Sequence, residues 1–391
     1  MNSVRIGIAS VIAATMASAN AHATDDLTAL SDEFNDASTI VNWQRIYQVE
    51  GWGNNALEQF DIHTTRPGRM FMMPYSSSWY EEWRGELTFK NVTGDFVITT
   101  DVEPTRRNGP GAPQSQYSLA GIMVRTPRAM TQPAQWTPNG QNYVFLSLGA
   151  ASNPGQFQFE VKTTSNSTST LFISNGIPRA VIQVARLGPH FIMLRRPPGG
   201  PWQIHRRYFR PDMPATLQAG LTVYTDWPLC ETVGVENQNT RVLTNGAPLN
   251  GGGTVSGANP DLIAAFDYVR YARPVVPTGL SGGNFSNPAA VSDAQLLSFL
   301  GDNANPPAVP LQFRSVTKAD ANTTRLSITY ANGTPLETNR LGNYEVYASA
   351  EITAPFTNWT RLLPLTITNG ALHAEDTESA THRFYRALER P

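Results

Sequence analysis

Apolar and polar residues alternate along most of the chain. Phe96-Val97-Ile98-Thr99-Thr100-Asp101-Val102, Tyr143-Val144-Phe145-Leu146-Ser147-Leu148 and Phe157-Gln158-Phe159-Glu160-Val161 carry the period of two that a strand needs to send alternate side chains to opposite faces. His190 to Arg196, the turn Pro197-Pro198-Gly199-Gly200-Pro201, and Trp202 to Phe209 predict a hairpin. Leu217 to Tyr224 and Ala265 to Tyr271 predict further strands. Many short strands separated by turn signals predict an all-β sandwich or jelly roll. No sustained helical period stands before residue 290.

Two stretches interrupt the pattern. At the N-terminus, Arg5 precedes an apolar run from Ile6 to Ala17, and Ala21-His22-Ala23 follows as an A-x-A cleavage signal. Residues 1–23 are expected to be an export signal peptide, which puts the mature protein in the periplasm or outside the cell. Between Pro274 and Pro310 the chain turns rich in Pro, Gly and Ser, as a linker does. Within it, Ser292 to Leu300 predicts a short helix, capped by Ser292 and stopped by Gly301. From Leu311 the strand pattern returns in LQFRSVT, RLSITYA, NYEVYASA, WTRLLPLTIT and HRFYRAL. The expected division is a sandwich over 24–273, a linker with a short helix over 274–310, and a small immunoglobulin-like sandwich over 311–391.

Composition narrows the function. The 391 residues are 15% charged with a net charge of -2, which argues against a nucleic-acid partner. After the apolar run of the signal, no stretch approaches the ~18 apolar residues of a membrane span. One cysteine, Cys230, excludes an intrachain disulfide, and only through it could a disulfide-linked partner form. Lysine stands only at 90, 162 and 318, so arginine supplies the other 26 basic residues. No Gly-x-Ser-x-Gly elbow, phosphate loop or HExxH occurs, and the histidines after the signal make no ligand pair at short spacing.

Several of these segments resemble concanavalin A-like glucanase and lectin domains. Leu30-Ser31-Asp32-Glu33-Phe34-Asn35-Asp36 followed by Trp43 is similar to the opening of that superfamily. Gly94-Asp95-Phe96-Val97, Gly121-Ile122-Met123-Val124-Arg125, the hairpin at Trp202 and the closing Phe266-Asp267-Tyr268-Val269-Arg270 match it in order. The resemblance covers residues 27 to 273 and implies a two-sheet jelly roll whose concave face holds a glycan in many relatives. The C-terminal NWTRL…NG…D…FYR is similar to accessory domains of secreted bacterial proteins. Jelly rolls of this kind also imply a structural calcium, with Asp32, Asp36 and Asp267 as candidate ligands; the alternative is that Asp267 pairs at a strand edge. No other cofactor is required.

The catalytic strand of the superfamily's glucanases, E-x-D-x-x-E, is missing. Its nearest counterpart, Gln156 to Lys162, offers the single carboxylate of Glu160, and retaining hydrolysis needs two. Glu82 and Glu86 are expected on one face of a strand, or else in a solvated turn. His205, Tyr208 and Arg206 are the residue types a polysaccharide lyase would use. The main expectation is instead polysaccharide binding. Trp52, Trp79, Tyr80 and Trp83 form an aromatic group suited to stacking on sugar rings, with the core as the competing place for them. Arg84, Arg125 and Arg206 are the cations expected beside it. Arg195, Arg196, Arg206, Arg207 and Arg210 form a hairpin free of acids, suited to a polyanion or to a solvated sheet edge. A glycan-degrading enzyme and a structural surface protein remain the alternatives.

Overall fold

The computed structural model describes residues 26–304, 311–320, 322–330, 335–336, 338–378 and 383–389. The signal peptide and His382 therefore lie outside the described residues. The fourteen strands of the larger part are β1 (Gln44–Arg45), β2 (Leu57–Ile62), β3 (Met70–Pro74), β4 (Glu86–Thr93), β5 (Phe96–Thr105), β6 (Ser118–Arg125), β7 (Tyr143–Ala150), β8 (Gln158–Ser165), β9 (Thr168–Asn175), β10 (Ala180–Leu187), β11 (His190–Arg196), β12 (Gln203–Phe209), β13 (Thr216–Tyr224) and β14 (Ile263–Ala272). They form two antiparallel sheets of seven. The first runs β1-β4-β13-β6-β7-β8-β9 and the second β12-β11-β10-β5-β14-β3-β2. Both central strands added late, β13 and β14, insert between earlier ones, as in a jelly roll.

The alternation decides the packing. Ala120, Ile122 and Val124 of β6 and Val144, Leu146 and Leu148 of β7 face Ile98 and Val102 of β5 and Ile182 and Val184 of β10 across the main core. The intervening residues point outward, yet in both sheets they are also largely apolar. A sheet with two apolar faces needs cover on both. On the second sheet, Val97, Ala185, Leu187, Ile192 and Leu194 are covered by Phe285, Val291, Leu296, Phe299 and Leu300. These last five come from the stretch expected to be a linker. At least to residue 304 it is a packed strap, because the apolar outer face of β5, β10 and β11 recruits it. The expected short helix is present as Asp293–Leu297, with Ser292 and Gln295 closing a capping box.

One element departs from the sequence reading. Trp227–Thr240 is a helix of 14 residues, bent at Gly234. Its buried residues are Leu229, Cys230, Gln238 and Asn239, so no apolar stripe marks it. The C-terminal residues form a four-stranded and a three-stranded sheet around a separate cluster that includes Leu326, Ile328, Tyr344, Val346 and Leu372. WTRLLPLTIT, expected to be one strand, is split into Thr360–Arg361 and Thr366–Thr368.

Candidate functional site

The outer face of the first sheet gathers several of the candidate side chains. Alternation brings Met123 and Arg125 of β6, Tyr143, Phe145 and Ser147 of β7, and Glu160 and Lys162 of β8 to that side. The face is not open. Trp79 is fully buried on it, edge-on to Tyr143 at 5.5 Å, with its indole N–H donated to the Glu86 carbonyl at 3.1 Å. Trp52 is also interior, 3% exposed, and donates to Glu50 at 2.9 Å. Neither ring presents a plane to a sugar. Trp79 fills a second core because the outward residues of β4, β6 and β7, such as Phe89, Met123 and Phe145, are apolar, and Trp52 packs edge-on against Trp136 at 5.0 Å.

The arginines beside them are buried too. Arg125 lies 2.7 Å from Glu50, and both side chains are closed to solvent. Arg84 donates to Asn54 at 2.6 Å and stands over the Trp52 ring at 4.9 Å. Burial pulls its guanidinium down to about 10, against the opposing pull of Glu50 and Glu86. The bent helix holds Arg84 in place: Asn239 accepts from the Arg84 amide and Gln238 donates to its carbonyl. These polar contacts explain the helix without an apolar stripe.

A cleft of about 230 Å³ remains beside the Trp79 plug. Tyr80, Tyr117, Trp227 and Leu171 line it with apolar surface, and Ser78, Lys162 and Glu231 add polar groups. Tyr80 and Trp227 meet edge to face at 5.2 Å, and Trp83 braces Trp227 from behind at 5.1 Å. Lys162 is buried, donates to the Trp79 carbonyl at 2.5 Å and pairs with Glu160 at 2.9 Å. Burial lowers the Lys162 ammonium, and Glu160 opposes that shift. The Tyr80 phenol is raised by burial and by the charges of Glu81 and Glu231. The Tyr117 phenol is raised by burial and by Glu160. At neutral pH both are therefore O–H groups able to donate to a hydroxyl. Sequence reasoning missed Tyr117, Trp227 and Glu231, since each lies in a loop or an unmarked helix far from the Trp79 segment.

Two larger recesses carry less chemistry. One of about 640 Å³ lies around Asp32 and Lys90, and one of about 720 Å³ lies between His63 and Arg386. Neither is lined by two Tyr or Trp rings, so neither offers a stacking slot.

The remaining candidates are spread out. Glu82 sits in a turn, where its carboxylate accepts from the Asn139 amide at 2.5 Å. Glu86 opens β4 and is held by Arg45 through two bonds of 3.0 and 2.8 Å. The two do not share a strand face, because β4 begins only at Glu86. Glu160 is held by the Lys162 ammonium. His205 and Arg206 of β12 do not line the cleft but pack against Phe172 on the other side of β9, and Tyr208 packs against the main core. The aspartates are not gathered into a calcium site. Asp32 accepts from the Phe34 amide and the Trp43 indole, Asp36 caps a 3-10 turn, and Asp267 pairs with Arg179 at 3.0 Å. Among the described residues no group of three or more such ligands comes together. The hairpin is not free of acids in space. The strap and the following loop supply Asp302 to Arg196, Asp293 to Arg207 and Asp212 to Arg210.

No family model matches the chain, and no curated protein matches it. Solved structures show a distant likeness over part of the chain. A functionally unknown protein from Saccharomyces cerevisiae is 10% identical, over 60% of this chain and 98% of that one, with a TM-score of 0.40. The GH43 BlXynB protein from Bacillus licheniformis is 12% identical, over 62% of this chain and 39% of that one, at 0.40. A lectin from Bauhinia forficata, in complex with GalNAc, is 9% identical, over 62% and 96%, at 0.33. Likeness at this level supports no residue-by-residue correspondence. The chain is an all-β protein built on a two-sheet jelly-roll sandwich.

Proposed function

We propose that this is an exported carbohydrate-binding protein that takes a sugar ring of an extracellular polysaccharide into the Tyr80–Tyr117–Trp227 cleft. The observation that carries the reading is the pairing of Tyr80 and Trp227 around a small polar-floored slot. Aromatic planes stack on the apolar C–H faces of a sugar, while the Tyr hydroxyls, Ser78 and Glu231 bond its hydroxyls. At about 230 Å³ the cleft suits one ring, a chain end or a branch, and not a long buried stretch. The buried Trp79 plug supports the same limit. The order of motifs from Asp32 to Arg270 supports a place for the sandwich among concanavalin A-like domains, and the A-x-A signal supports export. The separate core of residues 311–389 supports an accessory role for that part.

Calorimetry with laminarin, xylan, pectate and alginate tests the reading. Trp227→Ala lowers affinity by about 1–3 kcal/mol if the indole stacks on the ring. Absence of heat with all four, and of retention on a broad glycan array, rejects it. Release of new reducing ends or unsaturated uronates reassigns the protein to the glycan-degrading enzymes.

A further inference from the structure

On the opposite side of β9 lies a cationic notch. Leu171 lines the cleft, and the next residue, Phe172, points to the other face of the strand. There the Arg206 guanidinium lies over the Phe172 ring at 4.6 Å, and the Arg195 guanidinium lies over Phe159 at 4.3 Å. His205 fits between the same two rings, at 5.7 Å from Phe159 and 5.9 Å from Phe172. Its Nε2 is buried and has no hydrogen-bond partner. Arg195 spends one N–H on the Asn175 carbonyl at 3.1 Å. Carboxylates reach Arg196, Arg207 and Arg210, but among the described residues none pairs with Arg195 or Arg206. The β11–β12 register explains the split. Arg206 pairs with the core-facing Met193 and so lies toward the inner side of the sheet, the bulge makes His205 the extra residue between Arg206 and Ile204, and Arg207 faces the strap.

We propose that Arg195 and Arg206, with His205 between them, bind an oxyanion substituent of a sugar, a carboxylate or a sulfate ester. Phe159 and Phe172 hold the guanidinium planes and leave N–H edges for a two-oxygen acceptor. Two unpaired cations at a sheet edge repel each other, and an anion between them relieves that. Burial together with these two arginines depresses the His205 imidazolium, which keeps the ring neutral and leaves an anion as the group the notch lacks. The placement rests on the proposed cleft in one respect: a polysaccharide crossing the β9 edge would fill the cleft with one ring and the notch with an acidic neighbour.

The test follows the His205 ring signals by NMR in the full chain, at constant ionic strength, during titration with sodium glucuronate, glucose 6-sulfate or glucose. A saturable shift with glucuronate assigns the carboxylate, and one with the sulfate ester assigns the sulfate. Glucose gives none. Arg206→Gln, whose head group is exposed, weakens binding at least tenfold, and Arg195→Gln/Arg206→Gln abolishes the shift while circular dichroism stays native. Linear, non-saturating shifts with both anions overturn the proposal, and so does a shift that survives in the double variant. Trp227→Ala separates the two readings. It removes neutral-glycan binding at the cleft and leaves the glucuronate shift intact. A glucuronate shift without any glycan binding at the cleft sinks the cleft and keeps the notch.

Discussion

The Lys162 ammonium lies 2.9 Å from the Glu160 carboxylate, with both side chains closed to solvent. Taking two charges out of water costs several kcal/mol each, and their mutual attraction offsets this only while both are present. Lys162→Met should therefore leave an unpaired buried carboxylate and cost about 3–5 kcal/mol of stability. Glu160→Gln/Lys162→Met should recover most of that loss. Urea denaturation of the two singles and the double closes the cycle. A loss under ~1 kcal/mol in the first single would mean that water reaches Glu160 and that the pair is not what floors the cleft.

The strand pattern was legible because period two survives wherever one face meets the main core. Phe96 to Val102, Tyr143 to Leu148 and the His190–Phe209 hairpin all fall on observed strands. The site was less legible. Trp79 carries the same letter whether it stacks on a ligand or fills a second core, and only the apolar outer residues of β4, β6 and β7 decide between the two. Tyr80 and Trp83 do reach the cleft region, whereas Trp227 stands 147 residues beyond Tyr80 on a helix fixed by Gln238 and Asn239. The arginine hairpin misled for a related reason. Two of its three acids, Asp293 and Asp302, come from about a hundred residues away along the chain, and local composition does not show them.

The plug and the stacking plate make opposite demands on Trp79. A buried aromatic cut back to Ala typically costs about 3–5 kcal/mol, since it forfeits transfer energy and leaves a cavity. Trp79→Ala should lower stability by that amount and also remove one of the two side-chain donors to the Glu86 carbonyl, leaving the Thr222 hydroxyl. Thermal unfolding measures it. A variant as stable as the parent that loses only glycan affinity would instead put Trp79 at an open face.

The strap should protect itself from proteases. Phe285 and Phe299 are each 5% exposed and meet edge to face at 6.2 Å against the second sheet. Segments with buried side chains resist nicking, because the backbone must first open to enter a protease. Brief proteolysis of the parent should leave 274–304 uncut, and Phe285→Ala/Phe299→Ala should bring cuts into it. Equal cutting of parent and variant would show that the strap does not hold to the sheet.

Stability should fall as the solution is made acidic, and His205 supplies part of that slope. Burial, then the charges of Arg195 and Arg206, pull its imidazolium down to about 4 in the folded protein. An unfolded chain protonates histidine near pH ~6.5. Between those two values the unfolded chain binds a proton that the folded one refuses, so acid favours unfolding there. The contribution of His205 is fully present above pH ~6.5, is lost progressively toward pH ~4, and changes no further below that. For a side chain with some access to water the loss is on the order of 2 kcal/mol. His190 is depressed by burial in the same direction and steepens the slope. His205→Gln removes one of the two titrations, so its stability should fall less than the parent's between pH 6.5 and pH 4. Urea midpoints at four pH values across that window measure the difference. Parallel curves for parent and variant would mean that the His205 ring takes up its proton in the folded state at the ordinary pH, with water already in the notch.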